Sequence, residues 1–270
     1  MGKVLTVGIA GFGTIGKVIG KALDEGMQGL KLIAVTSGNL AKARDNLTGY
    51  SNSVDVVEAD KLADLVDIVV ECAPTSAFMA VAETTLRQGK ILVTVSGAAI
   101  LQNPNIIDTA KEHGGQIVLA TGALLGLDAV RAAALGDIHS VNMVTRKPPT
   151  SLTKAKYVIE NNIDLSNLTE PLRLFKGSAR EGAEQFPSNV NVAAALGLAG
   201  VGADKTKLEI WADPTKIRNT HNIKVDACSA AFELTIENVP TVENPGTGRI
   251  TALSVLAALE SLTTPLRVGS

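Results

Sequence analysis

A strand that runs through a glycine turn directly into an amphipathic helix is the feature that most constrains this chain. Residues 7–26 read VGIAGFGTIGKVIGKALDEG. The preceding and opening run KVLTVGIAG is short, apolar and β-rich, and Ile15, Val18, Ile19, Ala22 and Leu23 then share one helical face before Gly26 ends it. In Gly11-Phe12-Gly13-Thr14-Ile15-Gly16 the three glycines have separate uses: a tight turn, close backbone approach to a pyrophosphate, and close packing of helix on strand. The helix N-terminus then offers N–H groups to phosphate oxygens. A purely structural turn can use the same glycines, but the strand before the motif, the helix after it and the βαβ setting favour a dinucleotide.

The alternation continues. LKLIAVTSG, VDIVVECAP, GKILVTVSG and GQIVLATGA are apolar throughout, and between them lie the helical NLAKARDNL and a helix opened by Ser76 and closed near Gly89. Strands without a polar face, separated by helices, predict a parallel sheet covered on both sides, the doubly wound Rossmann-type α/β arrangement. This domain is expected over residues 1–122. Beyond it DIHSVNMVTRKPP, LRLFKGSA, KLEIWAD, RNTHNIKVDA and AAFELTIEN alternate in polarity, which predicts a second α+β domain over 123–246 on a mixed, largely antiparallel sheet. SAREGAEQFP carries a capping box from Ser178 to Glu181, and NVNVAAALGLAG reads as a helix from Asn189 to Gly200. The segment 247–270, with Ala252, Val255, Leu256, Leu259 and Leu262 at helical spacing, is expected to return to the first domain, and Pro148 and Pro245 mark turns.

With 270 residues, 46% of them hydrophobic, the chain can bury a large core, and its net charge of −2 leaves no basic footprint for nucleic acid or an anionic membrane. Small molecules are the expected ligands. There is no signal-peptide pattern at the N-terminus and no apolar stretch of membrane-spanning length, so the expected location is the cytoplasm. Cys72 and Cys228 form no metal-ligand cluster and sit in apolar surroundings, as reduced, buried thiols would.

A strict NAD site places a carboxylate at the end of the second strand, where it grips the ribose 2′-hydroxyl, yet here that strand ends AVTSGNLAKAR. Ser37 and Asn39 stand there instead, with Lys42 and Arg44 beyond, so the cofactor is expected to be NADP or NAD. For Lys42 and Arg44 a solvated helix start is an equally good account. Ala73 and Pro74, at the end of VDIVVECAP, are counted with Gly11, Gly13, Thr14, Ile15 and Gly16 among the cofactor-binding positions.

Three histidines bound the search for a catalytic imidazole. His113 lies at a helix end, where a basic residue complements the dipole, and His139 begins a strand with no polar cluster beside it in sequence. His221 differs: in IRNTHNIKVDA the positions Ile217, Asn219, His221, Ile223 and Val225 share one face, so the ring points inward. From that segment alone a hydrogen-bonded core histidine is the commoner outcome.

The segments GFGTIG, TGALLGLDA (121–129), TRKPP (145–149), FKGSAREGAEQFPSNVNVAAALGLAG (175–200), ADPTKIRNTHNI (212–223) and ENPGTGRITALSVLAAL (243–259) together resemble the L-aspartate dehydrogenase family over most of the chain. The resemblance implies an NAD- or NADP-dependent interconversion of L-aspartate and iminosuccinate, which hydrolyses to oxaloacetate and ammonia. It further implies a homodimer and a supply of iminosuccinate for NAD biosynthesis. The family's catalytic histidine falls on His221, and two positions associated with the nicotinamide fall on Ala123 and Asn191. Ala123 would act through its backbone and small size. Asn191 would hydrogen-bond the nicotinamide or its ribose, against the plain alternative of a helix cap. Thr121, Leu125 and Gly248 depart from the family's usual serine, glycine and serine, which bears on substrate preference. Arg146, Lys147 and Lys224 are the basic residues nearest these motifs, and the sequence assigns none of them to a substrate carboxylate. A dehydrogenase of another small amino acid, imine or keto acid, or a cofactor-sensing protein without turnover, would share the fold.

Overall fold

A computed structural model describes residues 3–187, 190–244 and 246–269; Asn189, the expected helix start, and Pro245, the expected turn, lie outside them. The backbone divides into two compact units. One runs to Ala120 and takes back Thr251–Arg267, and the other is built from Thr121–Ile250.

In the first unit the order is β1 (Leu5–Ala10), α1 (Thr14–Gly26), β2 (Leu30–Thr36), α2 (Leu40–Asn46), β3 (Asp55–Val56), α3 (Ala59–Leu65), β4 (Ile68–Glu71), α4 (Phe78–Arg87), β5 (Ile91–Thr94), α5 (Gly97–Gln102), α6 (Asn105–His113) and β6 (Gln116–Leu119). The strands form one sheet in the order β3-β2-β1-β4-β5-β6, and every pairing is parallel. The doubly wound reading is therefore correct, and the reason is the one the sequence supplies. β4 is buried at each of its four residues, and alternate residues feed different cores. Val7, Ile9, Ile68 and Val70 face Ile19 and Leu23 of α1, while Ala10, Val69 and Leu92 pack with Leu62, Phe78, Val81 and Ile106. A terminal helix, Ile250–Ser261, adds Ala252, Val255 and Leu259 to the first of these clusters. The helix expected to open at Ser76 is entered differently: Thr75–Ala77 form a 3₁₀ turn without a side-chain cap, and α4 starts at Phe78.

The second unit contains α7 (Leu127–Ala133), β7 (Ile138–Lys147), α8 (Lys156–Glu160), β8 (Leu172–Ser178), α9 (Ala179–Gln185), α10 (Asn191–Ala199), β9 (Thr206–Ala212), β10 (Asn219–Ala227) and β11 (Ala231–Asn238), with the terminal helix becoming α11. Its sheet runs β11-β10-β7-β9-β8, antiparallel except for the parallel pair β7–β9, which makes it mixed as expected. The capping box is complete: Glu181 N–H donates to Ser178 Oγ, and Ser178 N–H donates back to the Glu181 carboxylate. On the inward face Val141, Met143, Leu208, Ile210, Ile223 and Val225 are buried. Two expectations fail here. Ile217 lies before β10 and is 83% exposed, because the strand begins only at Asn219. Cys228, just past the end of the same strand, is exposed rather than buried.

Candidate active site

The glycine turn of the first unit is held from below. Gly11 has φ +97°, and a Cβ there would lie 2.6 Å from the Ala73 nitrogen and the Cys72 carbonyl. A Cβ on Gly16 would run into the Gly11 carbonyl oxygen. These two glycines are demanded by packing. Gly13 is not: its φ is −99°, and an added Cβ would meet nothing within 4 Å. Its backbone therefore borders open space at the N-terminus of α1, a 13-residue helix whose first-turn N–H groups point the same way. A side chain at Gly13 would project into that open space, so packing within the chain does not require glycine there.

Beside the turn, Glu71 ends β4 fully buried. Its Oε1 accepts from the Ala73 N–H at 2.9 Å and its Oε2 from the Thr94 hydroxyl at 2.5 Å. Burial raises the Glu71 pKa, and the hydrogen bonds from Thr94, Ser96 and Ala73 offset part of that rise. The Cys72 thiol donates to the Gly11 carbonyl at 3.1 Å, and burial pushes its pKa up. Glu71 thus fixes the backbone at Ala73 and Pro74. A charged residue inside the apolar run VVEC was the signal for it. At the end of β2, Asn39 caps α2 by accepting from Lys42 N–H at 2.9 Å, and its own N–H reaches Ser37 Oγ at 3.5 Å. Lys42 and Arg44 are exposed.

In the second unit the inward sheet face is apolar along most of its length and then becomes polar. β7 and β10 pair so that Thr145 stands opposite His221. The Thr145 hydroxyl and His221 Nδ1 are 3.0 Å apart. Lys147 follows on the same face of β7, and Asn219 precedes on the same face of β10, paired with Asn238 of β11. Thr145, Lys147, Asn219, His221 and Asn238 are all less than 5% exposed. A pocket of about 290 Å³ opens at this end of the sheet, lined by Pro148, Ser151, Lys216, Asn219 and Pro240 among others.

Burial drives the His221 pKa down to about 3, and the positive charge of Lys147 adds to the drop. The imidazole is neutral, so one ring nitrogen carries a proton and the other a lone pair. Burial also lowers the Lys147 ammonium to about 8. Asn238 donates its Nδ2 to the Ala123 carbonyl at 2.9 Å, which fixes the amide so that Oδ1 points elsewhere, buried and with no hydrogen-bond partner among the described residues. Asn191 is the first residue of α10, whose cap position is Val190, so the helix-cap alternative for Asn191 is wrong. Sequence reading missed Thr145, Glu71 and Asn238. Only the inward alternation Val141, Met143, Thr145, Lys147 hinted at the first.

A glycine turn that opens a helix on a doubly wound parallel sheet is an arrangement that nicotinamide-dependent dehydrogenases share. Residues 128–262 match the family model described as aspartate dehydrogenase, C-terminal, and residues 11–120 match the homoserine dehydrogenase NAD-binding domain. The chain is 52% identical to an L-aspartate dehydrogenase of Bradyrhizobium diazoefficiens, over 98% of this chain and 94% of the relative. It is 46% identical to L-aspartate dehydrogenase 3 of Bordetella bronchiseptica, over 98% of each. Among solved structures it resembles the aspartate dehydrogenase of Thermotoga maritima, with a TM-score of 0.77 and 25% identity over 98% of this chain and 99% of that one. The chain belongs to the L-aspartate dehydrogenase family and is an NAD(P)-dependent oxidoreductase.

Two predictions follow from this geometry. Gly13→Val should fold with a parental melting temperature yet lose dinucleotide binding, whereas Gly16→Ala should be destabilised by its backbone clash. Parental cofactor affinity in folded Gly13→Val, read by fluorescence titration, would exclude the turn as the pyrophosphate site. The second concerns pH. The folded site holds His221 at about 3, against 6.5 for an ordinary histidine, so between those values the unfolded chain binds a proton that the folded one refuses. The His221 contribution to stability is therefore full above pH 6.5 and falls as pH drops toward 3. Thermal melts across that window should show the parent losing more stability than His221→Gln. Parallel curves for the two proteins would contradict the depressed pKa.

Proposed function

We propose that this protein is an L-aspartate dehydrogenase that uses NADP or NAD and has His221 as its proton-handling residue. The observation that carries the reading is a buried, neutral imidazole tied through Nδ1 to Thr145, in a chain that matches relatives named for that activity. Gly11, Gly13, Thr14, Ile15 and Gly16 would cradle the pyrophosphate, with Ala73 and Pro74 beside them and Ser37 and Asn39 near the adenosine ribose. Ala123 and Asn191 are assigned to the nicotinamide end. A bound nicotinamide would supply the hydride chemistry at the substrate Cα in either direction.

The hydrogen bond between Thr145 and His221 supports a base role for the imidazole. With Nδ1–H donating to Thr145 Oγ1, the lone pair sits on Nε2, the tautomer a base requires. Nε2 takes one proton from the substrate α-ammonium. The neutral amine left by that transfer has the lone pair that would stabilise an iminium carbon once Cα had given up hydride to a bound cofactor. Water adds to that carbon, and loss of ammonia leaves oxaloacetate. A pKa of about 3 describes His221 without substrate; a dianion beside it favours the imidazolium and opposes both the burial and the Lys147 effects. Thr145 is a positioning residue in this scheme, holding the ring and its tautomer. The family resemblance supports a homodimer that supplies iminosuccinate for NAD biosynthesis in the cytoplasm.

The purified protein should oxidise NADPH or NADH in the presence of oxaloacetate and ammonia, and reduce the oxidised cofactor with L-aspartate. His221→Ala should lower kcat by about 10²–10⁴-fold with cofactor affinity little changed. Near-parental turnover would leave His221 a core residue only, and its loss would then register as a lower melting temperature. Because no carboxylate stands at the end of β2 to repel a 2′-phosphate, kcat/KM with NADP should equal or exceed that with NAD. A strong NAD preference in steady-state kinetics would overturn that assignment.

A further inference from the structure

In the first unit a run of contacts ties together the carboxyl ends of four neighbouring strands. Gly11 N–H donates to the Thr36 carbonyl at the end of β2, 2.9 Å away. Cys72 N–H donates to the Ala10 carbonyl of β1 at 2.9 Å, and the Cys72 thiol reaches the Gly11 carbonyl. The Cys72 carbonyl and the Ala73 nitrogen close on Gly11 so tightly that no Cβ could stand there. Glu71 carries the run from β4 to β5. One of its carboxylate oxygens accepts from Ala73 N–H at 2.9 Å and the other from the Thr94 hydroxyl at 2.5 Å, and the Ser96 hydroxyl adds a third hydrogen bond. Thr94 is the β5 residue in register with Glu71, and its Oγ1 also accepts from Ser96 N–H at 2.9 Å.

The sheet core does not call for a carboxylate at this position. Val69, two residues earlier on the same face of β4, packs with Leu92 and Phe78, and burying a carboxyl group among such residues is costly. What Glu71 adds is an acceptor for a backbone N–H that has left the strand, since a buried backbone group outside a sheet must find its partner elsewhere. The loop held in this way is the one packed against the glycine turn. We propose, building on the reading of that turn as the pyrophosphate site, that Glu71 is a positioning residue for the dinucleotide: its carboxylate holds the loop 72–74, and through it Gly11, in the shape that binds. The place of Glu71 in the sheet supports this. A doubly wound sheet takes a dinucleotide at the carboxyl ends of its strands where the strand order reverses, here between β1 and β4. Glu71 is the last residue of β4 and stands in register with Ala10, the last residue of β1.

The test is isothermal titration calorimetry of the full chain with oxidised NADP and NAD, on the parent, Glu71→Leu and Glu71→Gln. Glutamine can accept from Ala73 N–H through its one oxygen and donate its amide to the Thr94 oxygen, so it restores the loop contact without the charge; leucine restores neither. In Glu71→Leu the Kd of the dinucleotide that the parent binds should rise roughly tenfold, and in Glu71→Gln it should stay within about threefold of the parent. Melting temperatures should change little, because leucine removes the cost of burying a carboxyl group while leaving Ala73 N–H without its acceptor, effects of opposite sign. Amide exchange gives a local readout: in Glu71→Leu the Ala73 N–H should lose protection, while Val69 and Val70 inside the strand keep theirs. A folded Glu71→Leu protein that binds within about threefold of the parent overturns the proposal. So does a Glu71→Gln protein as weak as Glu71→Leu, which would make the charge and not the loop the cause. Should Glu71→Leu fail to fold, Thr94→Val removes the far anchor of the carboxylate and should weaken binding several-fold; an unchanged Kd there overturns the proposal. Gly13→Val separates this failure from that of the reading beneath it. Parental binding by folded Gly13→Val removes the turn as the site and the proposal with it, whereas loss of binding in Gly13→Val beside parental binding in Glu71→Leu keeps the turn and removes the role of Glu71.

Discussion

The chemistry assigned to the second unit depends on one pairing register, that of β7 with β10, which sets Thr145 across from His221. A shift of one residue would turn every side chain of a strand to the other face. His221 would then leave the interior and Lys147 would lose its relation to it. The register is secured by the apolar residues deeper on the same face, Val141 and Met143 against Ile223 and Val225, which cannot move to solvent without a large loss of burial. The hydrophobic half of the face thus aligns the polar half. The cost of burying the polar groups is partly offset by the hydrogen bonds they make, such as that between Thr145 and His221.

The same division of labour appears in the first unit. Gly11 and Gly16 are glycines because neighbouring backbone leaves no room for a Cβ, and Gly13 is a glycine beside open space. Packing accounts for the first two and not for the third. Glu71 extends the pattern: a carboxylate buried in an apolar sheet, satisfied by Thr94 and by the Ala73 backbone, ties the end of β4 to the loop that follows. Both units therefore place polar groups at the ends of strands whose middles are apolar on the buried face. The backbone polar valences there are not all consumed by the sheet, so side chains and ligands can use them.

Much of the fold was legible along the chain because its signals are local. A strand that is apolar at every position can only be covered on both sides, which made the parallel sheet readable from runs such as VDIVVE. The alternation in NTHNIKVDA likewise put His221 on the inner face, and the Ser178 to Glu181 box marked the start of α9. Local reading erred where termini depend on surroundings. The turn at Thr75–Ala77 replaced a cap at Ser76, and Ile217 fell outside its strand. Cys228 is exposed because it lies past the end of β10, and its neighbours Asp226 and Ser229 are polar.

By itself the sequence determined the doubly wound first sheet, the mixed second sheet, the glycine turn, the inward direction of His221 and, through resemblance, the enzyme family. It could not say which of Arg146, Lys147 and Lys224 lies beside that histidine, nor that Thr145, 76 residues away, holds the ring. Periodicity assigns a residue to a face of its own strand, whereas a hydrogen bond or a shared field requires a second strand at a defined register. Only the tertiary structure supplied that register: β7 is flanked by β10 and β9, both far away in sequence, and their pairing turned Lys147 into a neighbour of His221 while Arg146 was sent to Trp211 and Asp213 on the other side.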